Sequence, residues 1–302
     1  MPTTIVPNLS GRTAVVTGGT SGIGLEIARG LAARGARTVV VGRGKARAAQ
    51  ACAEIVRSLG TATVEPVAVT DLALLSDVRE LARTLLERYP QVHVLVNNAG
   101  VYLRRREVTS EGHERTFALN VLAPFLLTSL LSDRLRASAP ARVVNVSSTA
   151  HRGQTVDFSD LESAKRFSGF RVYGRSKLEL LLLSRELARR FQGTGVTVNA
   201  VHPGFVASGF GRNNGGATAV GFRLIELLFA INVRRGAETP LFVASDPSVA
   251  AATGEYFARS RLARASPAAG RAEDARRLYD ICRELTNAPA LSPAGSEGAT
   301  SR

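Results

Sequence analysis

Short apolar runs alternate with helix-length stretches along most of the chain. "TAVVT" (13–17) leads through a glycine-rich turn to a helical pattern over about 22–34. "RTVVVG" (37–42) precedes a helix over about 45–58, and "TVEPVAV" (63–69) precedes one over about 74–88. "VHVLVNN" (92–98) leads to a long helix over about 111–136, and "ARVVNVSS" (141–148) to one over about 171–191. "VTVNAVH" (196–202) is followed by a glycine-rich region and more helix, and "GEYFA" (254–258) is a last short strand. The strand runs are almost continuously apolar rather than alternating, as expected where helices cover both faces of a sheet. Repeated strand–helix units of this kind predict an α/β fold built on a doubly wound parallel sheet. No Pro/Gly/Ser-rich linker cuts the first 260 residues, so 1–286 is expected to form a single domain. The end, "NAPALSPAGSEGATSR" (287–302), is small, polar and Pro-containing, and is expected to be disordered.

Composition changes this picture little. At 45% hydrophobic and 21% charged, the 302 residues have ample material for a core. The formal charge of +14 raises the question of nucleic acid. The charge is scattered, its longest basic run is Arg104–Arg106, and there is no Trp and no aromatic–basic interleaving for base stacking. Nucleic-acid binding is therefore not expected. The apolar windows 117–131 and 224–233 fall short of the roughly 20 residues a membrane span needs. No signal-peptide pattern opens the chain, and Cys52 and Cys282 have neither redox nor ligand spacing, so a soluble, cytoplasmic protein is expected. The four His residues (93, 113, 151, 202) lie far apart without metal-ligand spacing, so no metal site is expected.

The turn after the first strand carries the first candidate chemistry. Gly18, Gly22 and Gly24, with Gly19 in addition, run straight from strand to helix. Such glycines let backbone approach a pyrophosphate, and the helix N-terminus offers free N–H groups and a positive dipole end. The context (strand before, helix after, first unit of an alternating chain) makes this a Rossmann-type nucleotide turn rather than a bare tight turn. A second pattern is Tyr173 and Lys177. Residues four apart share a helix face, and an ammonium nearby favours a phenolate over a phenol. Lys is rare here: Lys45, Lys165 and Lys177 are three among 39 basic residues. Arg presents a broad plane, whereas Lys offers a compact charge with rotatable donors. The spelling of Lys at 177 suggests a site that needs an ammonium.

With Thr17 the first turn spells T-G-x-x-x-G-I-G. That string, N-N-A-G at 97–100, Y-x-x-x-K at 173–177 and P-G at 203–204 together resemble the short-chain dehydrogenase/reductase family. The resemblance covers about 10–285. The frames "SEGHERTFALNVLAPFLLT", "VNVSSTAH", "VNAVHPGFV" and "GEYFARSR…RRLYDICREL" are similar to its retinol-dehydrogenase-like branch, whose membrane-bound members carry an N-terminal anchor that is not read here.

The resemblance implies hydride transfer between a nicotinamide dinucleotide and a carbonyl or alcohol, with Tyr173 as general acid/base. It implies that Ser148 polarises the substrate oxygen, with Ser147 as the alternative, and that Asn120 holds a water linking Lys177 to solvent. Gly18, Thr20, Ser21, Gly22, Ile23 and Gly24 would hold the pyrophosphate side. Asp71 and Leu72 would border the adenine, and Asn98, Ala99 and Gly100 the adenosine ribose. Tyr173, Lys177, Pro203, Gly204, Val206 and Ser208 would face the nicotinamide side. At the end of the second strand no acid appears before Glu54; Arg43, Lys45 and Arg47 stand there instead. An acid would suit a ribose 2′-OH, whereas Arg suits a 2′-phosphate, so NADP(H) is expected over NAD(H), with Arg43 as the main contact.

The segment after Pro203-Gly204 is glycine-rich and then strongly apolar, which suggests an apolar substrate such as a steroid, retinoid, polyketide or fatty ketone. "KLELLLLSRELARRF" is apolar on more than one face; core packing explains part of this, and a helix-to-helix homo-oligomer is expected to explain the rest. Two rival enzyme-fold readings are a non-catalytic NADP-binding regulator and a nucleotide-sugar epimerase. The intact Ser/Tyr/Lys/Asn set weighs against the first, and the glycine spacing weighs against the second.

Overall fold

The computed structural model describes residues 8–204 and 233–291. Strands β1 (Thr13–Thr17), β2 (Arg37–Arg43), β3 (Val64–Val69), β4 (Val94–Asn97), β5 (Ala141–Val146), β6 (Val196–His202), β7 (Tyr256–Ala258) and β8 (Arg261–Leu262) form one sheet. Its order is β3-β2-β1-β4-β5-β6-β7-β8. All pairings are parallel except β7–β8, a hairpin that the sequence reading had not separated from "GEYFA". The expected doubly wound α/β fold is what the structure shows.

Neighbouring residues of the central strands enter two different cores, so the apolar runs have a direct cause. Val15, Val39 and Val41 pack on one face of the sheet. Ala14, Val16 and Val40 pack on the other. The first core is covered by α3 (Leu75–Arg88), α5 (Ala123–Leu130), α7 (Gly169–Arg190) and α9 (Ala272–Thr286). The second is covered by α1 (Gly22–Ala32), α2 (Lys45–Leu59) and α8 (Val233–Ser245). Because β1 is followed by β2 on one side and neighboured by β4 on the other, the strand order reverses between β1 and β4, opening a crevice at the carboxyl ends of the strands.

Two expectations are corrected, and the packing of α7 is seen between them. The long helix over 111–136 is broken into α4 (Arg115–Phe117), a π turn (Ala118–Leu122), α5 and α6 (Ser132–Ala137). The leucines of α7 (Leu178 and Leu180–Leu183) are at most 3% exposed within the chain itself. Helix α9 packs along α7, with Tyr279 edge-on to Phe125 at 5.3 Å and under the Arg190 guanidinium at 3.6 Å. Core packing thus covers these leucines within the chain. Finally, residues 287–291, placed in the disordered tail by sequence, belong to the folded body. Ala288 and Leu291 are buried, the Leu291 N–H donates to the Tyr279 hydroxyl (3.0 Å), and Arg190 donates to the Leu291 carbonyl (3.0 Å). No helix among the described residues is long and apolar enough to cross a membrane.

Candidate active site

The phosphate turn is a cradle that only glycine can form. Gly18 and Gly22 have φ of +65° and +56°, in the region that favours glycine. A Cβ on Gly24 would lie 2.2 Å from the Gly18 carbonyl oxygen and 2.4 Å from Asn98 Nδ2. Ser21 is the N-cap of α1 but makes no side-chain cap, and the first turn holds no acid. Its N–H groups therefore remain available to an anion at the positive end of the helix. The turn is bolted to the end of β4: Asn98 Nδ2 donates to the carbonyls of Thr17 (2.9 Å) and Gly18 (3.3 Å). The Thr17 hydroxyl accepts from the N–H groups of Asn98 (3.0 Å) and Ala99 (3.1 Å). Thr17 is a structural hub that the motif contains but that sequence reading gave no role. These donors, the close backbone and the absence of a nearby acid fit a pyrophosphate.

The walls beyond this turn carry the other expected contacts. A cavity of about 840 Å³ is lined by Gly18, Thr20–Gly24, Arg43, Asp71, Leu72 and Asn98–Gly100 at one end and by Ser148, Tyr173, Lys177, Pro203 and Gly204 at the other. Arg43 ends β2, exposed, with Arg47 one turn into α2 also on the wall. Asp71 is paired with Arg115 and also accepts from the Ala73 N–H (3.0 Å). Arg115 lines the same wall. The pair spans 44 residues of sequence, and no local signal announces it. Val206 and Ser208 lie outside the described residues.

At the other end β5 and α7 bring the reactive side chains together. The Tyr173 and Ser148 hydroxyls stand side by side on the cavity wall, and the Ser148 hydroxyl acts to lower the pKa of the phenol. Ser148 also caps the following 3-10 turn, accepting from the Ala150 N–H at 3.2 Å. Ser147 points the other way: its hydroxyl donates to the Lys177 carbonyl at 2.9 Å. Lys177, 4% exposed, donates from Nζ to the Val146 carbonyl at 3.0 Å and lies 5.6 Å from the Tyr173 ring centroid. Tyr102 meets the Tyr173 ring edge-on at 6.1 Å.

The electrostatics differ from the sequence argument. Burial pushes the Tyr173 phenol up to about 12, opposed only by the neighbouring Ser148 hydroxyl. Burial also pulls the Lys177 ammonium down to about 8. The desolvation of each group thus outweighs the help the ammonium was expected to give the phenolate.

Asn120 sits inside the π turn, a distortion frequent at functional sites. Its carboxamide accepts from the Val101 N–H (2.8 Å) and donates to the Val101 carbonyl (3.0 Å) and the Ser176 hydroxyl (3.0 Å). It clamps the loop after β4 to α7. It does not line the cavity wall, but a Cβ on Gly100 would stand 3.1 Å from Asn120 Oδ1 and 3.4 Å from Lys177 Nζ, so both groups converge behind that glycine. Other residues on the wall that sequence reading passed over include His202, drawn down to about 4 by burial, and Phe170, 65% exposed at the start of α7.

Residues 12–217 match the family model for short chain dehydrogenase. Human retinol dehydrogenase 12 is 41% identical over 277 residues, covering 92% of this chain and 87% of the relative. An uncharacterized protein from Mycobacterium paratuberculosis superposes with a TM-score of 0.76 at 29% identity, covering 94% and 97% of the two chains. The Pseudomonas aeruginosa RhlG/NADP active-site complex gives 0.66 at 30% identity, covering 83% and 95%. The chain belongs to the short-chain dehydrogenase/reductase family, in its retinol-dehydrogenase-like branch, as an NAD(P)-dependent dehydrogenase acting on CH–OH and carbonyl groups.

Proposed function

We propose that the protein is an NADP(H)-dependent oxidoreductase that interconverts an alcohol and a ketone or aldehyde on an apolar small molecule, with Tyr173 as general acid/base. The carrying observation is the meeting of Ser148, Tyr173 and Lys177 on one cavity wall. A bound nicotinamide dinucleotide supplies or accepts the hydride. Ser148 offers its hydroxyl to the substrate oxygen, where charge changes during reaction. The phenol, kept protonated by burial, donates its proton to that oxygen in reduction and recovers one in oxidation. Lys177 places positive charge beside the phenol ring, where a phenolate forms as the proton leaves. Asn120 holds the loop after β4 and α7 together behind them.

The cofactor preference rests on Arg43 and Arg47, which line the wall at the β2 end, while no carboxylate of β2 or the first turn of α2 stands beside them. The substrate class rests on the lining at the reactive end, where Val101, Tyr102, Leu103 and Phe170 are apolar or aromatic. The relatives' name, retinol dehydrogenase, is of the same chemical kind. A cytoplasmic, soluble enzyme is consistent with the absence of a spanning helix among the described residues. The test is Tyr173→Phe. Turnover of NADPH with retinal, decanal or a steroid ketone should fall at least about a thousandfold, while NADPH still binds, as followed by its fluorescence. A variant that keeps more than about a tenth of the wild-type rate would remove Tyr173 from the acid/base role.

A further inference from the structure

His151 is fully buried in the 3-10 turn (Thr149–His151) that follows Ser148. Both ring nitrogens are used. Nδ1 lies 2.5 Å from the Ser148 carbonyl oxygen, and Nε2 lies 3.1 Å from the Ser266 backbone nitrogen. A carbonyl can only accept and a backbone N–H can only donate. Nδ1 therefore carries the hydrogen, Nε2 is the acceptor, and the ring is neutral. Burial favours that state, holding the imidazole below its ordinary value. The ring also stands edge-on to Tyr256 of β7 at 5.2 Å.

A buried histidine is most often a packed, satisfied core residue. Here the group it holds is the peptide of Ser148 itself, which shares the cavity wall with Tyr173. The turn has three further fixings. Before it, the Ser147 N–H donates to Val201 of β6 (2.8 Å). Against α7, the Ala150 carbonyl comes so near Gly174 that a Cβ there would be 2.6 Å away. Beside His151, Arg152 donates to the Arg264 carbonyl (2.5 Å). The last of these is an exposed side chain, so on the side of the C-terminal segment His151 is the one buried strut among the described residues.

We propose that His151 is a positioning residue: by bridging Ser148 to Ser266 it fixes the turn and thereby the place of the Ser148 hydroxyl beside Tyr173 on the cavity wall, which makes the segment after β8 a part of the active-site scaffold. This rests on the reading of Ser148 and Tyr173 given above. Three variants of the full chain test it with NADPH and whichever of retinal, decanal or a steroid ketone the wild type reduces fastest. His151→Leu removes both bonds. Ser266→Pro removes the donated N–H together with a buried side-chain hydroxyl that has no hydrogen-bond partner among the described residues, at a residue whose φ of −66° already suits proline. His151→Gln keeps one donor and one acceptor.

His151→Leu and Ser266→Pro should each lower kcat about tenfold or more, with the Kd for NADPH within about twofold of wild type. His151→Gln should recover most of that loss, and the Leu/Pro double variant should be no slower than either alone, because both cut one bridge. A well-folded His151→Leu or Ser266→Pro protein with kcat within about twofold of wild type would overturn the proposal. So would a Gln variant as slow as Leu, or a loss of NADPH binding in step with kcat. Tyr173→Phe run in parallel separates the two layers. If it is inert while His151→Leu is fast, only the strut fails; if it is active, the underlying reading fails and the strut with it.

Discussion

Lys177 holds its ammonium where burial opposes it. At 4% exposure its pKa falls to about 8 from the ordinary 10.5, and desolvation is the cause. The sign follows: the folded state binds this proton less tightly than the unfolded chain does. The cost is present in full below pH 8 and fades as pH rises towards 10.5. Lys177→Met should therefore stabilise the chain at pH 7 by roughly 1–2 kcal/mol, after subtracting the hydrogen bond lost at the Val146 carbonyl, and raise Tm by a few degrees while turnover disappears. Thermal unfolding at pH 7 checks it, and a lower Tm would mean that the ammonium's contacts outweigh its desolvation. At the other end of the cavity the proposed 2′-phosphate contact is Arg43, which lines the wall at the end of β2. Arg43→Ala should raise the Kd of NADPH about tenfold or more and that of NADH little, since one charge-assisted phosphate contact is worth about 1.5–3 kcal/mol. Equal losses, measured by fluorescence titration of both cofactors, would argue against recognition of the 2′-phosphate. Both residues could be singled out in the sequence, one as a rare lysine and one as a basic residue where an acid is usual. The choice between Ser147 and Ser148 could not, because it depends on which neighbour carbonyl or hydroxyl each side chain meets. Nor could the sign of the Tyr173 shift, which comes from burial by parts of the chain far away in sequence.

Elements place these groups by close backbone approach, and Gly174 is the clearest case. It lies on α7 one residue after Tyr173, and a Cβ would meet the Ala150 carbonyl at 2.6 Å and the Gln154 side chain at 3.0 Å. Replacing glycine by alanine inside a helix normally stabilises by about 0.5–1 kcal/mol. Overpacking against backbone costs about 1–3 kcal/mol, so overpacking should win. Gly174→Ala is expected to push the Ser148 turn off α7, lower kcat about tenfold or more and leave NADPH affinity intact, because the phosphate cradle lies across the cavity. Steady-state kinetics beside a binding titration decide it; an unimpaired kcat would show that the turn shifts freely. The strand–helix alternation was readable because each strand is a compact apolar run between turn residues. The interruption near Asn120 was not. Ala118, Val121, Leu122, Ala123 and Phe125 are buried on several sides, so the apolar pattern looks the same whether or not the helix widens by one residue. The β7–β8 hairpin escaped for another reason. Its turn residues, Arg259 and Ser260, have φ of +54° and +52°, where Asn-Gly or Asp-Gly would have been the visible signal.

At the scale of the whole molecule, distant segments meet around α7, and their charges are buried together. Arg175 donates to the carbonyls of Asp160 (2.9 Å) and Leu161 (2.5 Å) and to the Ser163 hydroxyl (2.7 Å), fastening the loop before α7 to the helix. Glu114 caps α4 through the N–H groups of Thr116 and Phe117, and its own N–H donates to Glu162. Glu179 lies among them at 1% exposure, 3.4 Å from the Arg175 Nε. Burial pushes its carboxyl up to about 7; Arg175 opposes this, and Glu114 and Glu162 add to it. For a carboxyl raised in this way the folded state holds the proton more tightly than the unfolded chain. No penalty exists below about pH 4.5, and it grows as pH rises to about 7 and stays in full above. Glu179→Gln keeps the shape and removes the charge. It should match the wild type at pH 4.5 and exceed it at pH 8.5 by roughly 1–3 kcal/mol, a few degrees in Tm. The comparison is of Tm against pH for both proteins between these limits. Curves that stay parallel, or a variant less stable at pH 8.5, would mean that Glu179 remains charged and serves Arg175 at a net gain. The predicted divergence would mean instead that the chain tolerates a proton-sensitive carboxyl two residues from Lys177 in order to hold the loop, α4 and α7 together.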